Sequence, residues 1–391
     1  MKDLRTISEI NQKIRDGNVV VMSVEDFKDL CEKESIEAAA EKVDVVTCAT
    51  FSPTCGVGLI MNLGHTNPPI KFKEAYFNNV RAYTGFTSVD AYIGSDQPNE
   101  DDDVGINYSG AHVIEDLLNG KVVDFKAKGF GVNCDSYPRE DVEATVTLDT
   151  LNNAIFLAHR FCVQHGSGYI NSSDKSLGTY KGVVLPNYQN CVYTGTGEIN
   201  PLTNDPDREI IGIGTRVLVS GAVGYVIGEG TQHNPEAGFA STMLRCQLRD
   251  MMPEYLQAVR FRNYATSMYV GLAVPIPILN FKIAKNCAIR DKDLKTVVKD
   301  AAEQQVMDSQ KAVVAHVTYA ELKSGKITID GKKIKTSSVS NVRKSRELMA
   351  MLNEKITRGE FFLTEFVEQL PLTSRNKPLN VINTQREKIL V

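Results

Sequence analysis

The sequence has no tryptophan, no Cys-x-x-Cys pair and no His-Glu-x-x-His, and its 48 acidic residues outnumber its 44 basic ones. Each absence removes a class of function. Without a basic excess there is little to neutralise a phosphate backbone or an anionic lipid surface, so neither nucleic acid nor a membrane is an expected partner. Without closely spaced Cys or His ligands no zinc, iron–sulfur or other metal site is assigned. The longest apolar run, residues 271–281, is broken by Pro275 and Pro277 and falls short of the roughly 20 residues that cross a bilayer. The opening residues 1–10 mix charged and apolar side chains at helical spacing and hold no apolar signal core, so the expected location is the cytoplasm. Gly212-Ile-Gly214 follows a strand-like stretch, but Val217 stands where a third glycine belongs and no Walker lysine motif occurs, so no cofactor is expected on this chain.

What is present reads as a folded chain. With 391 residues, of which 42% are hydrophobic and 24% charged, it can bury a large core. Ile7, Ile10 and Ile14 share one helical face, Gly17 stops that helix, and residues 19–22 read as a strand. Ser23 caps the next helix, and residues 43–48 read as a buried strand. Strands alternating with helices imply a partly parallel sheet. Residues 80–94 read as extended, 111–119 as a helix, 122–130 and 142–148 as strands, and 153–161 as a helix. The glycine-spaced segment 210–230 reads as paired strands around Ser220-Gly221. Further helices are expected over 253–262, 292–303 and 342–356, with a hairpin around Asp330-Gly331. The fold class is therefore mixed α/β with a partly parallel sheet and a glycine-rich β segment, plus a small C-terminal α+β region. A soft boundary divides a main catalytic unit, 1–300, from an extension, 301–391, packed on it.

Eight cysteines stand at positions 31, 48, 55, 134, 162, 191, 246 and 287, and a reducing cytosol disfavours structural disulfides among them. Cys55 lies in Phe51-Ser-Pro-Thr-Cys55-Gly-Val-Gly58, a Pro/Gly turn directly after a buried strand, where open α/β sheets place their ligands. Two readings stay open for it: an activated thiol, or a packed residue of a structural turn. Cys134 follows a strand and Gly129 and Gly131, with Arg139 nearby as a cation for a thiolate or a substrate carboxylate, or as a plain surface charge. His65 and His233 sit on Asn/Pro turns as candidate proton-transfer groups or structural residues. Asp101, Asp102 and Asp103 read as a solvated turn.

Four stretches carry a family resemblance: 47–56 (TCATFSPTCG), 108–117 (YSGAHVIEDL), 129–139 (GFGVNCDSYPR), and 211–216 (IGIGTR) running on to 230–235 (GTQHNP). They make the chain similar, to about Pro371, to the homocysteine-biosynthesis, sulfur-incorporation family. The resemblance implies a sulfurtransferase that installs sulfur on L-aspartate semialdehyde to give L-homocysteine. In it Cys134 matches the persulfide carrier and Cys55 the second functional cysteine. It implies a sulfide or persulfide donor and, because a thioaldehyde needs two more electrons to become a thiol, a small iron–sulfur ferredoxin-like partner as external donor. On this basis His65 or His233 would help expel water, Arg139 would anchor a carboxylate, and Cys55 would assist reduction by transient disulfide exchange with Cys134. Some relatives carry paired C-terminal CBS domains, which are not expected here. Two rivals stand beside this reading: a thiol-dependent transferase working without reduction, and a non-enzymatic persulfide carrier. Homo-oligomerisation is left open.

Overall fold

The computed structural model describes residues 4–54, 56–102, 107–164, 166–303, 312–375 and 377. Its first helix, Ile7–Arg15, starts at a capping box in which Thr6 and Glu9 satisfy each other's backbone N–H, and it buries Ile10 and Ile14. The strand Val21–Ser23 then pairs in parallel with Val45–Thr54, after two helices, Val24–Lys33 and Ile36–Lys42. Asp44 locks this layer. Buried with 1% of its side chain exposed, it receives Lys13 Nζ at 2.6 Å and Arg5 Nε at 3.3 Å, together with the backbone N–H of Val20 at 3.0 Å.

The main sheet has 10 strands. Its order runs Val21–Ser23, Val45–Thr54, Ala265–Pro277, Arg216–Val219, Ala222–Glu229, Ala240–Gln247, Asn153–Gln164, Val57–Asn62 and Asp90–Gly94, with Leu256–Phe261 beside Ala265–Pro277. Val45–Thr54 and Val57–Asn62 are separated by five strands in that order, yet only residues 55 and 56 join them. Three Cα steps of about 3.8 Å cannot cross five strands. The sheet must therefore curl until these two strands meet, and the bonds at the seam agree. Thr54 Oγ1 donates to the Arg160 carbonyl at 3.2 Å, and the His159 N–H donates to the Gly56 carbonyl at 2.5 Å.

A second sheet of six strands packs beside the seam. It combines Gly168–Ile170 and Asn190–Tyr193 with Lys295–Asp300, Val313–Thr318, Lys326–Ile329 and Lys332–Ser338, and so draws on both sides of residue 300. Two of its pairings are parallel, Gly168–Ile170 with Lys295–Asp300 and Asn190–Tyr193 with Lys332–Ser338. A four-stranded antiparallel sheet carries Phe72–Phe77, Val80–Ala82, Val123–Gly129 and Asp141–Val146. The helix Val342–Thr357 lies on the main sheet, and Gly271 leaves room for Leu348, whose Cδ1 would stand 2.4 Å from any Cβ there.

Three expected helices are strands. Residues 153–161 belong to the strand Asn153–Gln164, paired on both edges by Val57–Asn62 and Ala240–Gln247. Apolar groups fill both of its faces, and that removes the alternation by which a strand is read. Residues 253–262 form a short 3-10 turn and the strand Leu256–Phe261. Residues 292–303 contain the strand Lys295–Asp300, whose Val297 and Val298 suit a pleat better than a helix. The hairpins at Ser220-Gly221 and Asp330-Gly331 form with positive φ at both central residues, as a tight two-residue turn requires.

Candidate functional site

Burial sorts the thiols first. Cys48, Cys191, Cys246 and Cys287 are buried, and Cys31, Cys134 and Cys162 are partly exposed; Cys55 lies outside the described residues. Burial pushes Cys48 and Cys191 up to about 12 and Cys31 to about 11, and it raises Cys246 and Cys287 as well. Those five remain protonated thiols at neutral pH. The reachable described thiols that remain are Cys134 and Cys162.

Cys134 closes the short 3-10 turn Gly131–Asn133 that follows the strand Val123–Gly129. Its N–H donates to the Gly131 carbonyl at 2.9 Å, and its carbonyl accepts from Tyr137 N–H at 2.9 Å. Gly131 holds φ at +55° here, where an added Cβ would meet the Glu140 side chain. The turn is tied to the loop after Val57–Asn62. Arg139 Nε donates to the Pro68 carbonyl at 3.0 Å and its Nη2 to the Asn67 carbonyl at 2.6 Å, and the exposed His65 ring stacks on Tyr137 with centroids 5.5 Å apart. His65 and Arg139 therefore stand in the Cys134 neighbourhood, with the guanidinium spent largely on carbonyls. Phe130 and Val132, 39% and 81% exposed, make the tip apolar.

Thr54 and Gly56, the neighbours of Cys55, sit at the other end of the strand Val57–Asn62. Its six residues at roughly 3.3 Å each put roughly 20 Å between that end and the Cys134 loop. Disulfide exchange requires Cα atoms within about 7 Å. The described neighbours of Cys55, Thr54 and Gly56, thus stand at the far end of that strand from the Cys134 turn.

A cavity of about 110 Å³ opens at the seam. Thr50, Ser52, Pro53 and Thr54 form one wall, Arg160, Phe161 and Cys162 a second, and Tyr180, Thr194, Gly195 and Asn200 of the segment leading through the six-stranded sheet a third. Phe239 and Tyr264 cover it. Cys162 Sγ stands 3.4 Å from the Ala240 carbonyl. Ser52 Oγ shares hydrogen bonds with Thr50 at 3.0 Å and Ser340 at 2.6 Å, and Ser340 Oγ accepts from Gly195 N–H at 2.8 Å, which binds the walls together. Arg160 supplies the only ionic side chain among these lining residues, and its Nη1 donates to Gln232. His233, beside Gln232, is buried at 5% exposure. Its Nδ1 accepts from Ser241 N–H at 3.1 Å and its Nε2 faces the Pro371 carbonyl at 2.8 Å. Ser241 pairs across the sheet with Cys162, so His233 belongs to the cavity end of the molecule and His65 to the Cys134 end.

Close behind the cavity, Lys181 is fully buried. Its Nζ donates to Ser167 O at 2.7 Å and Ser167 Oγ at 2.6 Å and lies 4.0 Å from the centre of the Tyr169 ring. Burial drives its ammonium down to about 7, with Cys191 and Cys162 opposing that shift. Sequence reading passed over Lys181, Cys162, Thr194 and Asn200. Among the described residues no group of three or more His, Cys, Asp or Glu could hold a metal, and no helix is long and apolar enough to cross a membrane. Asp101 and Asp102 bind their own loop, accepting from Asn79 and Asn107, while Asp103 lies outside the described residues.

Fold and cavity together describe an α/β protein that places partly exposed thiols at two separate ends. Comparison with known proteins narrows the class: the family model described as homocysteine biosynthesis enzyme, sulfur-incorporation, matches residues 19–363, and the chain belongs to that family. A protein named L-aspartate semialdehyde sulfurtransferase from Methanosarcina acetivorans is 46% identical over 366 residues, covering 94% of this chain and 72% of its own. Another of that name from Methanocaldococcus jannaschii is 44% identical over 389 residues, covering 96% and 75%. An uncharacterized protein from Methanothermobacter thermautotrophicus is 31% identical over 338 residues, covering 83% and 73%. No solved structure matches the chain.

Proposed function

We propose that this chain converts L-aspartate semialdehyde and sulfur from a persulfide donor into L-homocysteine, with the Cys134 thiolate taking the donor's outer sulfur as its own persulfide while the donor leaves as a thiol. The observation that carries this reading is the similarity over nearly the whole chain to proteins named for that substrate. The half-exposed turn that presents Cys134 fits a thiol that must reach reactants.

The balance sets what else is needed. Addition of a hydrosulfide to the aldehyde carbon and loss of water give a thioaldehyde, and two electrons with two protons take it to the thiol. If the sulfur arrives as a persulfide, cleaving its S–S bond takes two electrons more. An external iron–sulfur donor, a small ferredoxin-like protein, is the proposed source. His65, stacked on Tyr137 of the Cys134 turn, is the better placed acid for that thiol, and Cys55 is assigned to the reductive step, reached through movement of the Cys134 loop or from a second copy.

The test is mass spectrometry of the protein after incubation with a persulfide donor, followed by homocysteine formation once aspartate semialdehyde and a low-potential reductant are added. An adduct of about 32 Da on Cys134, with product lost in Cys134→Ala and in Cys55→Ala, is expected. Product formed at the wild-type rate by both variants would refute the assignment. Turnover without any electron donor would favour the non-redox transferase, and stoichiometric labelling without turnover the persulfide carrier.

A further inference from the structure

Cys162 is a thiol to which the function proposed above gives no task, and it lines the seam cavity, whereas Cys134 sits on an open turn beside exposed Val132. Two buried cations stand behind it. Lys181 and Arg208 are 0% and 2% exposed, and a thiolate at Cys162 favours the charge of each. The attraction is mutual, so each cation favours the thiolate over the thiol. Arg208 is also balanced by Asp205. Lys181 has the thiols Cys191 and Cys162 in its favour and Lys299 against it, and Cys191 is buried and pushed up to about 12. The Cys162 thiol donates to the Ala240 carbonyl at 3.4 Å, which favours the protonated form, but S–H is a weak donor and charges act strongly in a buried setting. An independent observation on another wall points to a ligand. Thr194 lines the same cavity at 6% exposure; its carbonyl accepts from Tyr319 Oη at 3.0 Å, and its Oγ1 is buried with no hydrogen-bond partner among the described residues. A buried hydroxyl is nearly always paired, so an acceptor belongs in front of it. Phe161, Tyr180, Phe239 and Tyr264 complete much of the lining, and aromatic rings suit a polarisable sulfur.

We propose that Cys162 is a second sulfur-accepting thiol of this chain, which takes the outer sulfur of a small hydropersulfide inside the seam cavity, where the Thr194 hydroxyl donates to the sulfur gained. A bond forms between Cys162 Sγ and the donor's outer sulfur as the donor's own S–S bond breaks. The donor leaves as a thiolate and takes up the proton that Cys162 gave up, so the exchange needs no outside electrons. This site shares no residue with the Cys134 turn and stands apart from the function proposed above.

The test treats the full-length protein with cysteine hydropersulfide, alkylates it with iodoacetamide and maps its peptides by mass spectrometry. A gain of about 32 Da over the alkylated thiol is expected on Cys162, in wild type and in Cys134→Ala alike. It should form faster than on Cys31, which is also partly exposed but is pushed up to about 11. Glutathione hydropersulfide, too bulky for the cavity, should label Cys162 far more slowly. Lys181→Met should slow the labelling about tenfold, the effect of one pKa unit of lost thiolate stabilisation. Thr194→Val, which replaces an unpaired hydroxyl by a methyl of the same shape, should lower the yield about tenfold, as the loss of a hydrogen bond to a charged group does. Circular dichroism checks that each variant is folded, and Thr194→Val decides if Lys181→Met is not. Labelling of Cys162 no faster than of Cys31, an unchanged yield in Thr194→Val, or equal rates with the two donors would each overturn the proposal. Failure of the function proposed above has a different signature: Cys162 gains sulfur as expected while Cys134 gains none.

Discussion

Gly58 and Tyr92 offer a sharp test of the seam. The Tyr92 ring lies across Gly58, so that a Cβ at Gly58 would stand 2.2 Å from Tyr92 Oη and 2.5 Å from two ring carbons; the same hydroxyl meets His159 Nε2 at 2.8 Å. In the register of the two strands Gly58 faces Gly94 and Ile60 faces Tyr92, so the ring leans diagonally over a position without a side chain. Ordinary carbon contacts are about 3.5 Å, and Gly58→Ala must therefore push the ring by about 1 Å and break the bond to His159. Overpacking costs about 1–3 kcal/mol and the lost hydrogen bond about 1, giving about 2–4 kcal/mol in all. In a Tyr92→Ala background the obstacle is gone, and the same substitution should become neutral or stabilise by about 0.5 kcal/mol, since glycine weakens a strand. Urea denaturation followed by far-ultraviolet circular dichroism suits a chain without tryptophan. Equal costs of Gly58→Ala in the two backgrounds, within about 0.5 kcal/mol, would refute the packing account.

Three further outcomes are expected. Lys181 has its folded pKa pushed down to about 7 from 10.5, so between those values the unfolded chain holds the extra proton and stability should rise with pH by up to about 1.4 kcal/mol per unit. The Tyr169 face favours the cation and trims that slope. Denaturation at pH 7 and pH 8.5 should show a pH-dependent increment in wild type that Lys181→Met lacks, and identical slopes would refute it. Asp44→Ala leaves Arg5 and Lys13 without their shared carboxylate and should cost about 3 kcal/mol, read as a lowered urea midpoint; an unchanged midpoint would count against the locking role. Under mild oxidant, peptide mapping should find no Cys55–Cys134 disulfide within one chain, and a high yield of one would mean that the Cys134 loop travels the length of the intervening strand.

Local chemistry made much of the fold legible. Thr6 with Glu9, Ser23 before its helix, and the turns Ser220-Gly221 and Asp330-Gly331 announce their conformations because a cap or a positive φ is decided by a few adjacent residues. The strand Asn153–Gln164 was illegible for the opposite reason: both its edges are paired by chain distant in sequence, and its apolar run from Ala154 to Ala158 carries no alternation. The segments around Cys55 and Cys134 stood out by their Gly and Pro neighbours, although the first continues as strand through Pro53 and Thr54 where a turn was expected. Asn200 and Thr194 did not, since lining a cavity is a property of surroundings and not of spacing. Cys162 is one thiol among eight until the seam closes beside it.

The parallel pairing of Asn190–Tyr193 with Lys332–Ser338 has a consequence for synthesis. A ribosome has made the whole lining of the cavity some 70 residues before it makes the strand that steadies Thr194, a gap read from the sequence numbers of Tyr264 and Lys332 and worth several seconds at about 5–20 residues per second. Pairing across such a separation also closes slowly. Until residues beyond Lys332 emerge, Ser340 cannot tie Ser52 to Gly195, and the cavity walls stay unjoined.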